Sequence, residues 1–218
     1  MKVIKINPDK PDQKLLQQAA AIILNDGVIA YPTETVYGLG ANALSNVAVE
    51  KVYQLKQREK NKPILVIASN LEQVMELVKI FPDVARALVR HFWPGPLTIV
   101  FKAAPYLAKP LLGNGNSIGI RIPDNRICSE LLKLCGVPLT STSANLTGGK
   151  NSVNVEEVLS SFRNKLDFMI DGGCTCSRVS STVLDLTREK PVLLREGVIN
   201  KNAIENLIGF NINEINKE

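Results

Sequence analysis

The chain has 218 residues, 45% hydrophobic and 22% charged, which suffices for a real core and excludes a disordered, charge-rich segment. A net charge of +5 favours an anionic partner such as a nucleotide, RNA or phosphate. No apolar run approaches the roughly 20 residues that span a bilayer, and MKVIKINPDKPD lacks the apolar segment of a signal peptide, so a cytoplasmic protein without membrane contact is expected.

Taken in order, Val3–Ile6 alternates and predicts an edge strand stopped by Pro8 and Pro11. Asp12 caps a helix over Gln13–Asp26, with Gly27 as its C′ residue. Val28–Tyr31 reads as a buried strand that runs into the polar loop Pro32–Gly40, where α/β proteins place ligand sites. Gly38 and Gly40 would there permit backbone conformations that other residues resist. Asn46 caps a second helix ending at the basic cluster Lys56, Arg58, Lys60, Lys62. Ile64–Ala68 is apolar throughout and predicts a central strand. Asn70 and Gln73 form a capping box for Leu71–Lys79, and Pro82 opens a helix ending near Phe92.

Trp93-Pro-Gly-Pro96 is a corner before the strand Leu97–Phe101, and Lys102–Asn116 reads as a long surface loop. Ser117–Ile122 alternates, with Ser117, Gly119 and Arg121 on one face and Ile118, Ile120 and Ile122 on the other. Asp124 caps a helix to about Cys135, and Leu139–Ser143 is a strand entering the polar loop Ala144–Ser152. A helix from Asn154 to Phe162, strands at Phe168–Ile170, Ser181–Leu186 and Val192–Leu194, a helix capped by Asn200 and a frayed tail INEINKE complete the pattern. Interleaved helices and strands predict an α/β fold: one twisted mixed sheet with helices on its faces, in a single domain over residues 1–218.

Several constellations could carry chemistry. Lys56 and Arg58 suit a polyphosphate, though cations also favour a helix C-terminus for its dipole alone. Ser141-Thr-Ser143-Ala-Asn145 runs into Gly148-Gly149, a turn able to hold phosphate or carboxylate through backbone N–H groups, without the spacing of a P-loop. Arg121 and Arg195 lie on strands and need an anion, either an internal carboxylate or a ligand. Ser181-Thr182 opens a strand after a loop. The one histidine, His91, reads as structural. Cys128, Cys135, Cys174 and Cys176 form no CxxC pair, so hydrolysis by a triad or by zinc is disfavoured. What is left is a set of hydroxyls, amides and cations, equipment for binding a nucleotide and orienting two reactants.

YPTETVYGLG, KQR, KPILVIA, FWPGPLTIVF, IGIRIP, TSTSAN, SSTVLDL and LLREG, in that order from about Gly27 to Gly197, resemble the YrdC-like family of threonylcarbamoyl-AMP synthases. The resemblance implies the family's deep basic cavity and a nucleotidyltransferase. Its reaction joins L-threonine, bicarbonate or CO2, and ATP into threonylcarbamoyl-AMP and pyrophosphate, with Mg2+ carried mainly by the ATP phosphates. A separate threonylcarbamoyl transferase complex then modifies adenosine 37 of tRNA, and tRNA itself is a further candidate partner. The family's KxR motif falls on Lys56 and Arg58, as catalytic residues, and SxN on Ser143 and Asn145. The resemblance assigns threonine to Thr35, Arg121, Ser141 and Ser181. It assigns ATP to Arg58, Lys62, Ser117, Ser143, Asn145, Asn151 and Arg195, with Ser152 replacing Asn151 if the register slips by one. Ile67 stands where longer relatives carry histidine. The alternatives are a paralogue without this activity and an RNA-binding module.

Overall fold

The structure is a computed structural model that describes residues 2–175 and 177–214. In chain order its elements are β1 (Lys2–Lys5), α1 (Gln13–Leu24), β2 (Ile29–Tyr31), β3 (Gly38–Gly40), α2 (Asn46–Lys56), β4 (Val66–Ile67), α3 (Leu71–Leu77), α4 (Asp83–Phe92), β5 (Leu97–Lys102) and α5 (Lys109–Leu112). There follow β6 (Ser117–Arg121), α6 (Arg126–Cys135), β7 (Leu139–Thr140), β8 (Thr142–Ser143), α7 (Val155–Phe162), β9 (Phe168–Asp171), β10 (Thr182–Asp185), β11 (Val192–Arg195), α8 (Lys201–Ile208) and β12 (Asn213–Glu214).

The strands form two mixed sheets rather than the one expected. A five-stranded sheet has the order β1-β9-β2-β3-β8, and a seven-stranded sheet the order β12-β11-β10-β5-β6-β4-β7. The expected strand Leu139–Ser143 is the reason they meet. It divides at Ser141: β7 pairs antiparallel with β4 in the larger sheet, while β8 pairs antiparallel with β3 in the smaller. The Ser141 N–H, which belongs to neither ladder, donates to the Leu65 carbonyl at 2.7 Å.

Two apolar clusters flank this arrangement. Along β2 the faces alternate: Ile29 and Tyr31 join Leu16, Ile23, Ile127 and Leu131 under α1 and α6, whereas Ala30 joins Leu39, Leu97, Ile99 and Phe101 on the other side. Ile67 is fully buried in the first of these clusters. Burial of such side chains stabilises by about 1.5–3 kcal/mol each before entropy is counted.

Helix starts follow the caps. Asp12, Asn70, Asn154 and Asn200 each accept a first-turn N–H. Two expected caps are displaced by one residue: Ser45 caps α2 in place of Asn46, and Asn125 caps α6 in place of Asp124. Pro82 is likewise the extended residue before α4, not its first helical position. The end of α1 differs too. Asp26 takes the positive φ of 60°, and Gly27 is instead required by packing, since a Cβ there would lie 2.4 Å from Ile22 Cγ2.

The 102–116 segment is no surface loop: it contains α5 and buries Ala103, Ala104, Leu107, Leu111 and Leu112. Asn213 and Glu214, expected to fray, pair with β11 over a buried Ile212, and the rest of that tail lies outside the described residues, as does Cys176. No helix among the described residues is long and apolar enough to cross a membrane.

Candidate active site

The two sheets approach each other around a cavity of about 180 Å³. Its wall draws on the β2–β3 loop (Thr33, Thr35), β3 (Gly38) and β8 (Thr142, Ser143) of the smaller sheet. The larger sheet supplies Val66, Thr98 and Arg121, and the loops supply Leu65, Ser141, Asn145, Ser180 and Ser181.

Local chemistry shapes the β2–β3 loop. The Thr33 hydroxyl accepts from the Thr35 and Val36 N–H groups at 3.1 and 3.2 Å, forming a tight turn at Glu34. Gly38 and Gly40 do not have positive φ; what they admit is the Tyr31 ring, since a Cβ on Gly40 would lie 2.5 Å from Tyr31 Cε1. Burial, followed by the nearby Cys128, raises the Tyr31 phenol far above its ordinary pKa, so it stays a neutral donor to the Thr140 carbonyl at 3.2 Å.

Four cations reach the cavity: Lys56, Arg58, Arg121 and Arg195. Lys56 is the last residue of α2, and Gln57 then turns left-handed at φ 51°, which brings Arg58 to the same space. Lys56 is 2% exposed; its ammonium donates to the Ser143 and Asn145 carbonyls at 2.5 and 2.7 Å. It therefore clamps the TSTSAN loop rather than capping its own helix. Burial, followed by the charge of Arg58, lowers its pKa to about 8.

Arg58 donates to the Lys62 and Pro63 carbonyls, and Arg195 to the Ser181 carbonyl and hydroxyl. Burial lowers the pKa of both, and Arg121 adds to the effect at Arg195. Among the described residues no carboxylate lies within ion-pair distance of Lys56, Arg58 or Arg195. Arg121 does have one: Glu34 Oε1 lies 2.6 Å from its Nη1. Of the two partners the sequence left open for Arg121, the internal carboxylate is thus present.

The structure brings together Thr35, Lys56, Arg58, Arg121, Ser141, Ser143, Asn145, Ser181 and Arg195. It does not bring Lys62, Ser117 or Asn151 into the wall. The Lys62 ammonium is half-exposed and pairs with Glu59. Ser117 shares a strand face with Arg121 but sits opposite Lys102, four residues along β6, or about 13 Å at strand spacing. The Asn151 amide donates to the Arg178 carbonyl and the Ser180 hydroxyl, and Ser152 donates to the Ala144 carbonyl.

Sequence reasoning missed Thr98, Ser180 and Leu65. Thr98 interrupts the apolar strand β5, a signal that could have marked it, and its hydroxyl lies 2.8 Å from that of Ser181. Ser180 and Leu65 carry no such local mark.

Fold and cavity define the class: an α/β protein whose two sheets enclose a cavity lined by cations beside a row of hydroxyls. Comparison with known proteins narrows it. The chain belongs to the Sua5/YciO/YrdC family, described as Telomere recombination, which it matches over residues 21–197. It is 38% identical over 191 residues to a Pyrococcus abyssi protein named threonylcarbamoyl-AMP synthase, covering 88% of this chain and 56% of that one. To the Bacillus subtilis protein of the same name it is 38% identical over 195 residues, covering 89% and 56%. The chain thus spans little more than half the length of these two relatives. The crystal structure of Pyrococcus abyssi Sua5 complexed with L-threonine superposes with a TM-score of 0.95 at 35% identity, covering 98% of this chain and 62% of that one.

Proposed function

We propose that the chain is an L-threonylcarbamoyladenylate synthase, joining L-threonine, bicarbonate or CO2, and ATP into threonylcarbamoyl-AMP and pyrophosphate in the cytoplasm. One observation carries the reading: three cations, the buried Lys56, the half-buried Arg58 and the more exposed Arg195, line one hydroxyl-lined cavity, and among the described residues no carboxylate pairs with any of them. Like charges gathered around one cavity, one of them fully buried, favour an anion from outside. The names of the relatives, and the threonine bound to the Pyrococcus abyssi neighbour, support threonine and a nucleotide as the occupants.

In this reading Thr35, Arg121, Ser141 and Ser181 hold threonine. Lys56, Arg58, Ser143, Asn145 and Arg195 hold the triphosphate. Threonine's amine adds to CO2, giving a carbamate and releasing a proton; a carbamate oxygen then attacks the α-phosphorus, and pyrophosphate leaves. Lys56, Arg58 and Arg195 stabilise the charge spread over the phosphates as the bond to pyrophosphate breaks. Asn145 Oδ1 is buried without a hydrogen-bond partner among the described residues.

The described residues include no cluster of three His, Cys, Asp or Glu that could hold a metal, so they do not fit a protein-held Mg2+. Mg2+ would arrive on the phosphate oxygens, and no step here depends on it. We propose ATP roles for Lys62, Ser117 and Asn151 only if the loops around them move inward. The product would pass to a transferase complex that modifies tRNA. The test is pyrophosphate release from ATP: it should require both L-threonine and bicarbonate, and should fall at least a hundredfold in Lys56→Ala and Arg58→Ala. Release that ignores threonine would defeat the reading.

A further inference from the structure

We propose that Glu34 is a positioning residue, one that holds the Arg121 guanidinium in the orientation that receives the carboxylate of the amino acid substrate. The proposal rests on the synthase reading above and adds to it the residue that sets amino acid affinity separately from nucleotide affinity.

Arg121 is 5% exposed, yet its only hydrogen bonds among the described residues are made by Nη1, to Glu34 Oε1 at 2.6 Å and Thr35 Oγ1 at 3.4 Å. Its Nε and Nη2 are left without protein partners while the residue lines the cavity. Glu34 for its part uses one oxygen only, and Oε2 is buried with no partner among the described residues. A carboxylate placed for stability would engage the guanidinium with both oxygens in parallel. The end-on contact seen here keeps the rest of the donor fork free for another carboxylate.

The Thr33 hydroxyl holds the turn around Glu34 by accepting from the two N–H groups that follow it, so the carboxylate is fixed from its own backbone. A buried ion pair is poor evidence of stabilisation, and one that leaves an oxygen unsatisfied is poorer still. Its consequence is orientation: a guanidinium fixed at one nitrogen cannot swing toward the phosphates.

The test measures the affinities of L-threonine and of a non-hydrolysable ATP analogue separately, by calorimetry, in wild type and Glu34→Gln, with thermal melting alongside. The amide keeps the size and one acceptor oxygen and removes the charge. Threonine Kd should rise at least tenfold and the analogue's Kd by less than threefold. In an Arg121→Lys background, Glu34→Gln should change threonine Kd by less than twofold, because the fork it positions is gone. Glu34→Asp, which keeps the charge one methylene further back, should fall between wild type and Gln, and it supplies the same comparison if the amide variant does not fold. Unchanged threonine affinity, equal losses for both ligands, or additive effects in the Lys background would overturn the proposal. A wild type that binds the analogue but no threonine would instead overturn the synthase reading, and the proposal with it.

Discussion

Replacing Lys56 by methionine separates what this residue does for the fold from what it does for a ligand. Lys56 is 2% exposed, and its pKa is lowered from 10.5 to about 8 by burial first and by Arg58 second. At about 1.4 kcal/mol per pKa unit, keeping that ammonium charged at neutral pH costs the folded state about 3 kcal/mol. Methionine removes this cost but leaves the Ser143 and Asn145 carbonyls without their donor, at about 1–3 kcal/mol each. The two effects oppose, so stability should change by less than about 3 kcal/mol. Anion binding has no such offset. Losing one charge-assisted contact to phosphate should weaken a non-hydrolysable ATP analogue by about 1.5–3 kcal/mol, roughly 10- to 150-fold.

The pH dependence has a definite sign. A bound polyphosphate raises the Lys56 pKa, so the complex takes up a proton wherever free Lys56 is neutral. Affinity should therefore be flat below about pH 8 and fall by up to about tenfold per unit above it. Stability moves the other way. Between about 8 and 10.5 the unfolded chain still holds the proton that the folded one has released, so folding strengthens as pH rises through that window. Calorimetric titration from about pH 7.5 to 9.5, where the triphosphate is already fully ionised, reads both the fall and the proton uptake. A wild-type profile flat across that range, or a methionine variant that retains the fall, would refute the reasoning.

Other perturbations give equally definite outcomes. The Thr182 hydroxyl, fully buried, donates to the Ile199 carbonyl and accepts from the Gly197 and Ile199 N–H groups; Thr182→Val should cost at least about 2 kcal/mol in urea unfolding, and a loss under about 1 would contradict the satisfied network. Gly40→Ala places a methyl against the Tyr31 ring and should cost about 1–3 kcal/mol, visible as a lower Tm. Arg195→Ala should weaken the ATP analogue about tenfold or more while leaving the fold intact, since among the described residues its donors go only to Ser181; unchanged affinity would remove Arg195 from the site.

The division between sequence and tertiary structure runs along chain separation. Caps at Asp12, Asn70, Asn154 and Asn200, the alternation of β6 and the buried strand β2 were legible because a cap or a strand period is settled by residues a few positions apart. Even there, Ser45 and Asn125 took over from their neighbours, because adjacent polar residues compete and only the local backbone decides between them. The inventory of hydroxyls and cations could also be read in the sequence, and so could the family resemblance.

The cavity could not be derived from the residues alone. It exists because a five-residue apolar-to-polar run divides at Ser141 between two sheets, a matter of which strands were already waiting on either side. Ser117 satisfied the face rule and still lies at the wrong end of its strand. Gly40 looked like a turn glycine and proved to be a seat for Tyr31. Glu34 and Arg121, eighty-seven positions apart, meet through the closure of both sheets. Local sequence fixes the direction in which a side chain can point, and long-range packing fixes what stands there to meet it.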